Sequence, residues 1–209
     1  MKWFRGRGGA PAAPAEATPP EEVHASLALG DLFARVHPDS RLHVLDLGPA
    51  VGANISFLSE RFACSLEVAD LVGSLPPVVT GESAAAVRRA LPAQSEPADL
   101  VLAWDILNYL DKAQFRAAGE ALAARCRPGA VLFAMIVTGK EMAREPGRYL
   151  LREGAKGGVD LVYRFEPGTR PSPRYRPAEV DKMLPGFSVD RSMLLRHGIQ
   201  EFLMLRGGG

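Results

Sequence analysis

Cysteine is scarce in this chain. Cys64 and Cys126 are the two among 209 residues. They lie far apart, with no His or second Cys beside either. That excludes a CxxC redox pair and a metal-ligand spacing, so no metal is expected. Free cysteines are mostly buried. Both are expected as reduced thiols in or near the core, which suits a reducing cytoplasm. An excess of one charge is also missing, with 25 Lys and Arg against 24 Asp and Glu and a formal net charge of +1. Nothing in that balance favours a nucleic acid or a membrane surface as partner. No apolar run approaches the roughly 20 residues of a membrane span. After Lys2, Arg5 and Arg7 comes a Gly/Ala/Pro stretch rather than the apolar segment of a signal peptide. A cytoplasmic location is expected.

What is present is an ordinary globular mixture, 47% apolar and 23% charged. Residues 1–22 stand apart, rich in Gly, Ala and Pro, and after Trp3 and Phe4 without large apolar side chains. Burial there cannot offset the entropy of ordering, so a disordered tail is expected. The remaining residues, 23–209, suffice for one domain with its own core.

Apolar periodicity orders that domain. Leu27, Leu29, Leu32, Phe33 and Val36 predict a helix over 23–36, ended by Pro38. The run LHVLDLG, residues 42–48, is a buried strand closed by glycine. A helix over 54–62, a strand over 65–71 and a helix over 82–91 follow. A buried strand is expected at 100–104 and a helix at 112–125. Pro128-Gly129 is expected as a turn before a strongly apolar strand at 130–137. Strands alternating with helices imply parallel pairing. In the basic stretch from Lys140 to Arg176, a helix is expected over 141–153, with Arg144, Arg148 and Arg152 on one face. Local Glu residues make that face a solvated one. A strand is expected over 159–165 and a short helix over 177–184. Two extended runs, 187–196 and 199–206, flank His197-Gly198 as a hairpin, with His197 read as a turn residue.

The chemistry concentrates in VLDLGPAVGANISFL, residues 44–58. A buried strand ends at Asp46-Leu47-Gly48, and a turn of small residues leads into a helix. Gly48 and Gly52 permit close approach of backbone to a ligand. A helix N-terminus near Asn54 presents N–H groups and the positive dipole end. These features suit a nucleotide-like ligand at the carboxyl edge of a parallel sheet.

This stretch resembles the first motif of the class I S-adenosylmethionine-dependent methyltransferases, a hydrophobic strand followed by D/E-x-G-x-G-x-G. Asp46, Gly48 and Gly52 match the acid and the outer glycines, and Ala50 replaces the middle one. The strand ending near Asp70 resembles the family's second strand. The resemblance implies that Asp70 takes the ribose hydroxyls of the cofactor, with Glu67 as its competitor. DLVLAWDILNYL, residues 99–110, resembles the family's fourth-strand motif. Asp105 is implied at the cofactor and acceptor site, with helix capping as its other reading. Asn108 and Tyr109 stand where Glu and His are frequent. Tyr109, with an ordinary pKa near 10, is a poor base, and packing is its other reading.

The resemblance implies an α/β, Rossmann-like three-layer sandwich with a mostly parallel seven-stranded sheet. Its third strand is missing or short, since only Val78-Val79-Thr80 falls in that place. A C-terminal antiparallel hairpin is implied, its last strand beside the fifth. It also implies S-adenosylmethionine as cofactor and methyl transfer to an acceptor, small molecule or protein. A missing His base does not exclude activity, because orientation alone supplies roughly 7–11 kcal/mol. Two other readings stand beside this one. Ala50 and the Asn108-Tyr109 pair fit a non-catalytic member of the fold, binding cofactor or a protein partner. Gly48, Ala50 and Ala53 can be laid on G-x-G-x-x-G, the nicotinamide fingerprint.

Overall fold

Hydrophobic strands bury themselves in the centre of the molecule, and helices cover them. A computed structural model describes residues 21–37, 40–74, 83–91, 96–195 and 198–208. In chain order the elements are β1 (Glu22–Ala25), α1 (Leu27–Arg35), β2 (Arg41–Asp46), α2 (Gly52–Arg61), β3 (Ala63–Val68), α3 (Ser83–Ala90), β4 (Ala98–Leu102) and α4 (Lys112–Ala123). Then follow β5 (Cys126–Val137), β6 (Glu141–Ala143), β7 (Arg148–Glu153), β8 (Val159–Arg164), β9 (Thr169–Pro171), α5 (Pro177–Met183), β10 (Phe187–Leu194) and β11 (Ile199–Arg206).

The main sheet has the order β10-β11-β5-β4-β2-β3. Strands β2 to β5 pair in parallel. Strand β11 is antiparallel to β5, and β10 is antiparallel to β11. Among the described residues the sheet is thus six-stranded and mixed, where seven strands were expected. Val78-Val79-Thr80 and His197 lie outside the described residues, as do Pro38 and residues 1–20. Helix α3 packs on α4, and α2 packs on β3 and β7. Phe33 of α1 packs on Phe57 and Phe62 at the α2 side. Leu45, Val101, Leu102 and Phe133 are fully buried between the layers. In α4, a Cβ on Gly119 would meet the backbone of Met183 and Leu184 at 2.5 and 2.8 Å. That glycine lets α5 approach.

Three expectations need correction. The segment expected as one helix over 23–36 divides. Residues Glu22–Ala25 form β1, paired antiparallel with β8. The helix begins only after Ser26, whose side chain accepts a hydrogen bond from Leu29 N at 3.2 Å. A serine N-cap sets that boundary. The expected helix over 141–153 is instead β6 and β7. Pro146-Gly147 breaks any helix there, and Tyr149 and Leu151 are buried while Arg148 and Arg152 are exposed. That alternation has the strand's period of two. The turn expected at Pro128-Gly129 is an irregularity inside β5. Gly129 takes a φ of 83°, and the register with β4 shifts opposite it.

Strands β1, β8 and β7 form a second, antiparallel sheet in that order. Its anchor to the main sheet is Glu201 of β11, which is fully buried. Glu201 Oε1 lies 2.9 Å from His24 Nε2, and Oε2 accepts a hydrogen bond from Ala28 N at 3.3 Å. One carboxylate therefore ties β1 and the start of α1 to the central sheet. Glu201→Ala leaves both partners unpaired. It is expected to lower stability by about 1–3 kcal/mol. The midpoint of urea denaturation should fall at constant m-value. An unchanged midpoint would mean that the pairing carries no stability.

Candidate functional site

Strand β2 ends at Asp46, and the chain turns through Leu47-Gly48 and on to Val51, the N-cap of α2. Val51 offers no side-chain acceptor to the first turn. The hydrogen-bond ladder continues past β3, with Ala69 N donating to Asp46 O at 2.7 Å and Leu71 N to Leu47 O at 3.1 Å. Asp70 is thereby fixed beside the glycine turn, with its side chain exposed. Its Oδ1 accepts a hydrogen bond from Gly73 N at 3.0 Å. Glu67, the competitor, stays within β3 opposite Leu45. The order reverses between β2 and β4, a topological switch point where ligands of α/β sheets bind.

An open cleft of about 1310 Å³ lies there, lined by Ala50, Gly52 and Asp70 on one side. Arg148, Tyr149 and Arg164 of the second sheet line the other. No neighbouring atom comes within 4 Å of a Cβ built on Gly52. Asp46 is not in the cleft wall. It is 1% exposed. Its Oδ1 accepts hydrogen bonds from Gly48 N at 2.9 Å and from the Trp104 indole at 2.6 Å. Burial raises its pKa, and these two bonds oppose the rise. The Trp104 indole lies against Gly48, where a Cβ would meet it at 2.8 Å. Trp104 itself has a φ of 46°, an uncommon value for a bulky residue.

Trp104 stacks on Tyr149 with centroids 5.4 Å apart and planes 6° from parallel. Tyr149 is held by its backbone. Asn54, buried in the first turn of α2, donates to Tyr149 O and accepts from Leu151 N, each at 2.8 Å. The side-chain amide thus pairs with the edge of β7 as a neighbouring strand would. Asn54 and Trp104 lie inside the two motif stretches without being motif positions, and Tyr149 lies outside both. The only trace is a polar residue on the buried side of α2 and a tryptophan directly before Asp105.

Behind Tyr149 lies a second cavity of about 250 Å³, lined by Asp105 and Tyr109. The structure therefore divides the expected site residues. Ala50, Gly52 and Asp70 face the cleft, Asp105 and Tyr109 face the second cavity, and Tyr149 and Tyr163 border both. Asp105 precedes the 3-10 turn Ile106–Tyr109 but makes no side-chain cap to it. Its Oδ2 accepts a hydrogen bond from Gly147 N at 3.1 Å. Asn108 latches β5 to this turn, donating to Asp105 O and Met135 O and accepting from Val137 N. The Tyr109 hydroxyl donates to Glu145 O at 2.6 Å. Burial and the adjacent Asp105 carboxylate push its pKa up, so Tyr109 stays a phenol and serves as a bolt rather than a base. Among the described residues no group of His, Cys, Asp and Glu is placed to hold a metal, and no helix is long and apolar enough to cross a membrane.

No family model and no curated protein matches the sequence. Solved structures do. The amino pentose methyltransferase CalS10 of Micromonospora echinaspora aligns at 19% identity over 85% of this chain and 88% of its own, with a TM-score of 0.50. The chain has the class I S-adenosylmethionine-dependent methyltransferase fold. Streptomyces venezuelae DesVI aligns at 14% identity over 86% of this chain and 89% of its own, with a TM-score of 0.51. At these identities the likeness concerns the fold alone.

Asp105 is 4% exposed. Burial pushes its carboxyl up to about 7. In the unfolded chain it titrates near 3.9. Between those values the folded state keeps a proton that the unfolded state has released. Its stabilising effect is complete below pH ~4 and is lost as pH rises through about 7, by ~4 kcal/mol at most. Asp105→Asn should flatten that fall, as read by urea denaturation at about pH 5 and 8. An equal loss in both proteins would mean that Asp105 is not its source.

Proposed function

We propose that the protein binds S-adenosylmethionine in the open cleft and transfers its methyl group to an acceptor held in the second cavity. The observation that carries this reading is the extended β2–β3 ladder, which sets Asp70 against the glycine turn at the switch point of the sheet. Asp70 would accept the ribose hydroxyls, each such bond to a charged acceptor contributing roughly 1.5–3 kcal/mol. The open space at Gly52 and the uncapped first turn of α2 leave backbone N–H groups free to meet the ligand. Asp46 acts from behind, fixing Gly48 and Trp104. The cofactor supplies an activated methyl group on a sulfonium. The protein's own part is then to orient the acceptor and exclude water. Asp105 and Tyr109 border the acceptor. The two free thiols, Cys64 and Cys126, suit a reducing compartment such as the cytoplasm.

A second reading rests on Trp104. Its indole fills the space over Gly48 and stacks on Tyr149, which borders both cavities. A wall that does not part would leave a cofactor-binding or protein-interaction module without transfer. A nicotinamide-dependent oxidoreductase fits less well, because β11 enters antiparallel beside β5 where the dinucleotide fold continues with parallel strands.

Calorimetric titration with S-adenosylmethionine and S-adenosylhomocysteine tests the site. Micromolar binding is expected, weakened about 10- to 100-fold in Asp70→Ala. Absence of heat and of thermal stabilisation at millimolar ligand would overturn the methyltransferase reading. Binding with no transfer to any acceptor would favour the module.

A further inference from the structure

The second cavity has a definite chemistry. Three tyrosines and a phenylalanine wall it: Tyr109, Tyr149, Tyr163 and Phe165. The last three pack on one another, with centroids 5.3 to 6.3 Å apart. Carboxyl groups of Asp105, Glu22 and Glu141 also border it, and among the described residues no Lys, Arg or His lines it. Glu22 is engaged, accepting the Tyr163 hydroxyl at 2.8 Å. The guanidinium of Arg170 sits 5.9 Å from the Tyr109 ring centroid. His24 stands edge-on to the Tyr163 ring and pairs with Glu201.

One feature inside the cavity lacks a counterpart. Among the described residues Asp105 Oδ1 and the Tyr149 hydroxyl are buried without a well-formed hydrogen bond, and the two groups interact with each other. A buried polar atom left unpaired is costly. Oδ2 of the same carboxylate is occupied by Gly147 N, so Oδ1 is the position at which a ligand donor would be received. Aromatic faces attract a cation through their quadrupole, and more strongly where water is excluded. An anion there would meet the carboxyl groups of Asp105, Glu22 and Glu141 and, among the described residues, no Lys, Arg or His in the lining.

We propose that this cavity is the acceptor pocket and that the acceptor is a small amine, bound as its ammonium ion between Asp105 and the rings of Tyr149, Tyr163 and Phe165. Before transfer the ammonium gives a proton to the Asp105 carboxylate, which frees the nitrogen lone pair for the methyl group and leaves S-adenosylhomocysteine and a protonated Asp105. The class of acceptor rests on the methyltransferase reading, whereas ammonium recognition can be measured without cofactor. At about 250 Å³ the space limits the bound part to a short chain, and Met142, Val137 and Ile199 supply apolar surface for its carbons. A carboxyl pushed up to about 7 by burial is converted to the charged form by a cation beside it.

The test is titration of the full chain with n-butylammonium chloride, 1-butanol and sodium butyrate, followed by tyrosine ring NMR signals. Butylammonium is expected to saturate in the millimolar range, with the alcohol and the carboxylate about tenfold weaker or more. Asp105→Asn keeps the shape and removes the charge, and should weaken butylammonium about tenfold. Equal binding of the three probes by the wild-type protein would overturn the proposal, whether or not the variant folds. So would a folded Asp105→Asn variant that binds butylammonium unchanged. S-adenosylhomocysteine is titrated into the same preparation. Its failure to bind would count against the methyltransferase reading, and loss of probe selectivity against the amine, so the two failures are separable.

Discussion

The buried carboxylate of Asp46 holds the working end of the molecule together. It closes the glycine turn through Gly48 N and receives the indole of Trp104 from the end of the neighbouring strand. Two strands that pair by backbone are thus locked again by side chains just where the pairing ends. Such a carboxylate is expensive to bury unless its oxygens are satisfied. Trp104 satisfies it at the expense of an unusual backbone angle. Strain of that kind persists where the surroundings over-determine it.

From Trp104 the order passes outward to the cover. The indole gives Tyr149 a flat surface on which to stack. Asn54 holds the backbone of the same residue, and Asp105 receives Gly147 two residues before it. Tyr109 bolts Glu145 through its hydroxyl. Four side chains from the glycine-turn helix and the fourth strand therefore fix β7 over the carboxyl ends of the sheet. The cover divides the space beneath it into an open cleft and a smaller aromatic cavity. Both are bordered by carboxylates, but Arg148 and Arg164 also line the first.

The central strands were legible because each is a short apolar run closed by a turn residue. The stretch 44–58 likewise shows its strand, turn and helix in the order of its residues. Local patterning misled where tertiary pairing decided the outcome. Residues Glu22–Ala25 join the apolar pattern of the helix after them, yet β8 offers them an edge. Arg144, Arg148 and Arg152 have helical spacing, while the buried Tyr149 and Leu151 carry the strand signal. The site was legible by half. Asp46, Gly48, Gly52 and Asp70 stand in a recognisable sequence, whereas Asn54, Trp104 and Tyr149 acquire their roles only from partners 50 to 100 residues away, as the separations |i−j| of 58 for Asp46–Trp104 and 95 for Asn54–Tyr149 record.

Tyr149 lines the cleft and Trp104 is stacked on it, so Trp104 should sense an occupant of the cleft through that ring. Its fluorescence can be isolated, since Trp3 is the other tryptophan in the chain. In a Trp3→Phe protein, titration with S-adenosylhomocysteine should change the Trp104 emission saturably, with the midpoint found by calorimetry. Calorimetric binding with the emission unmoved would contradict a ligand cleft lined by Tyr149 with Trp104 stacked on it.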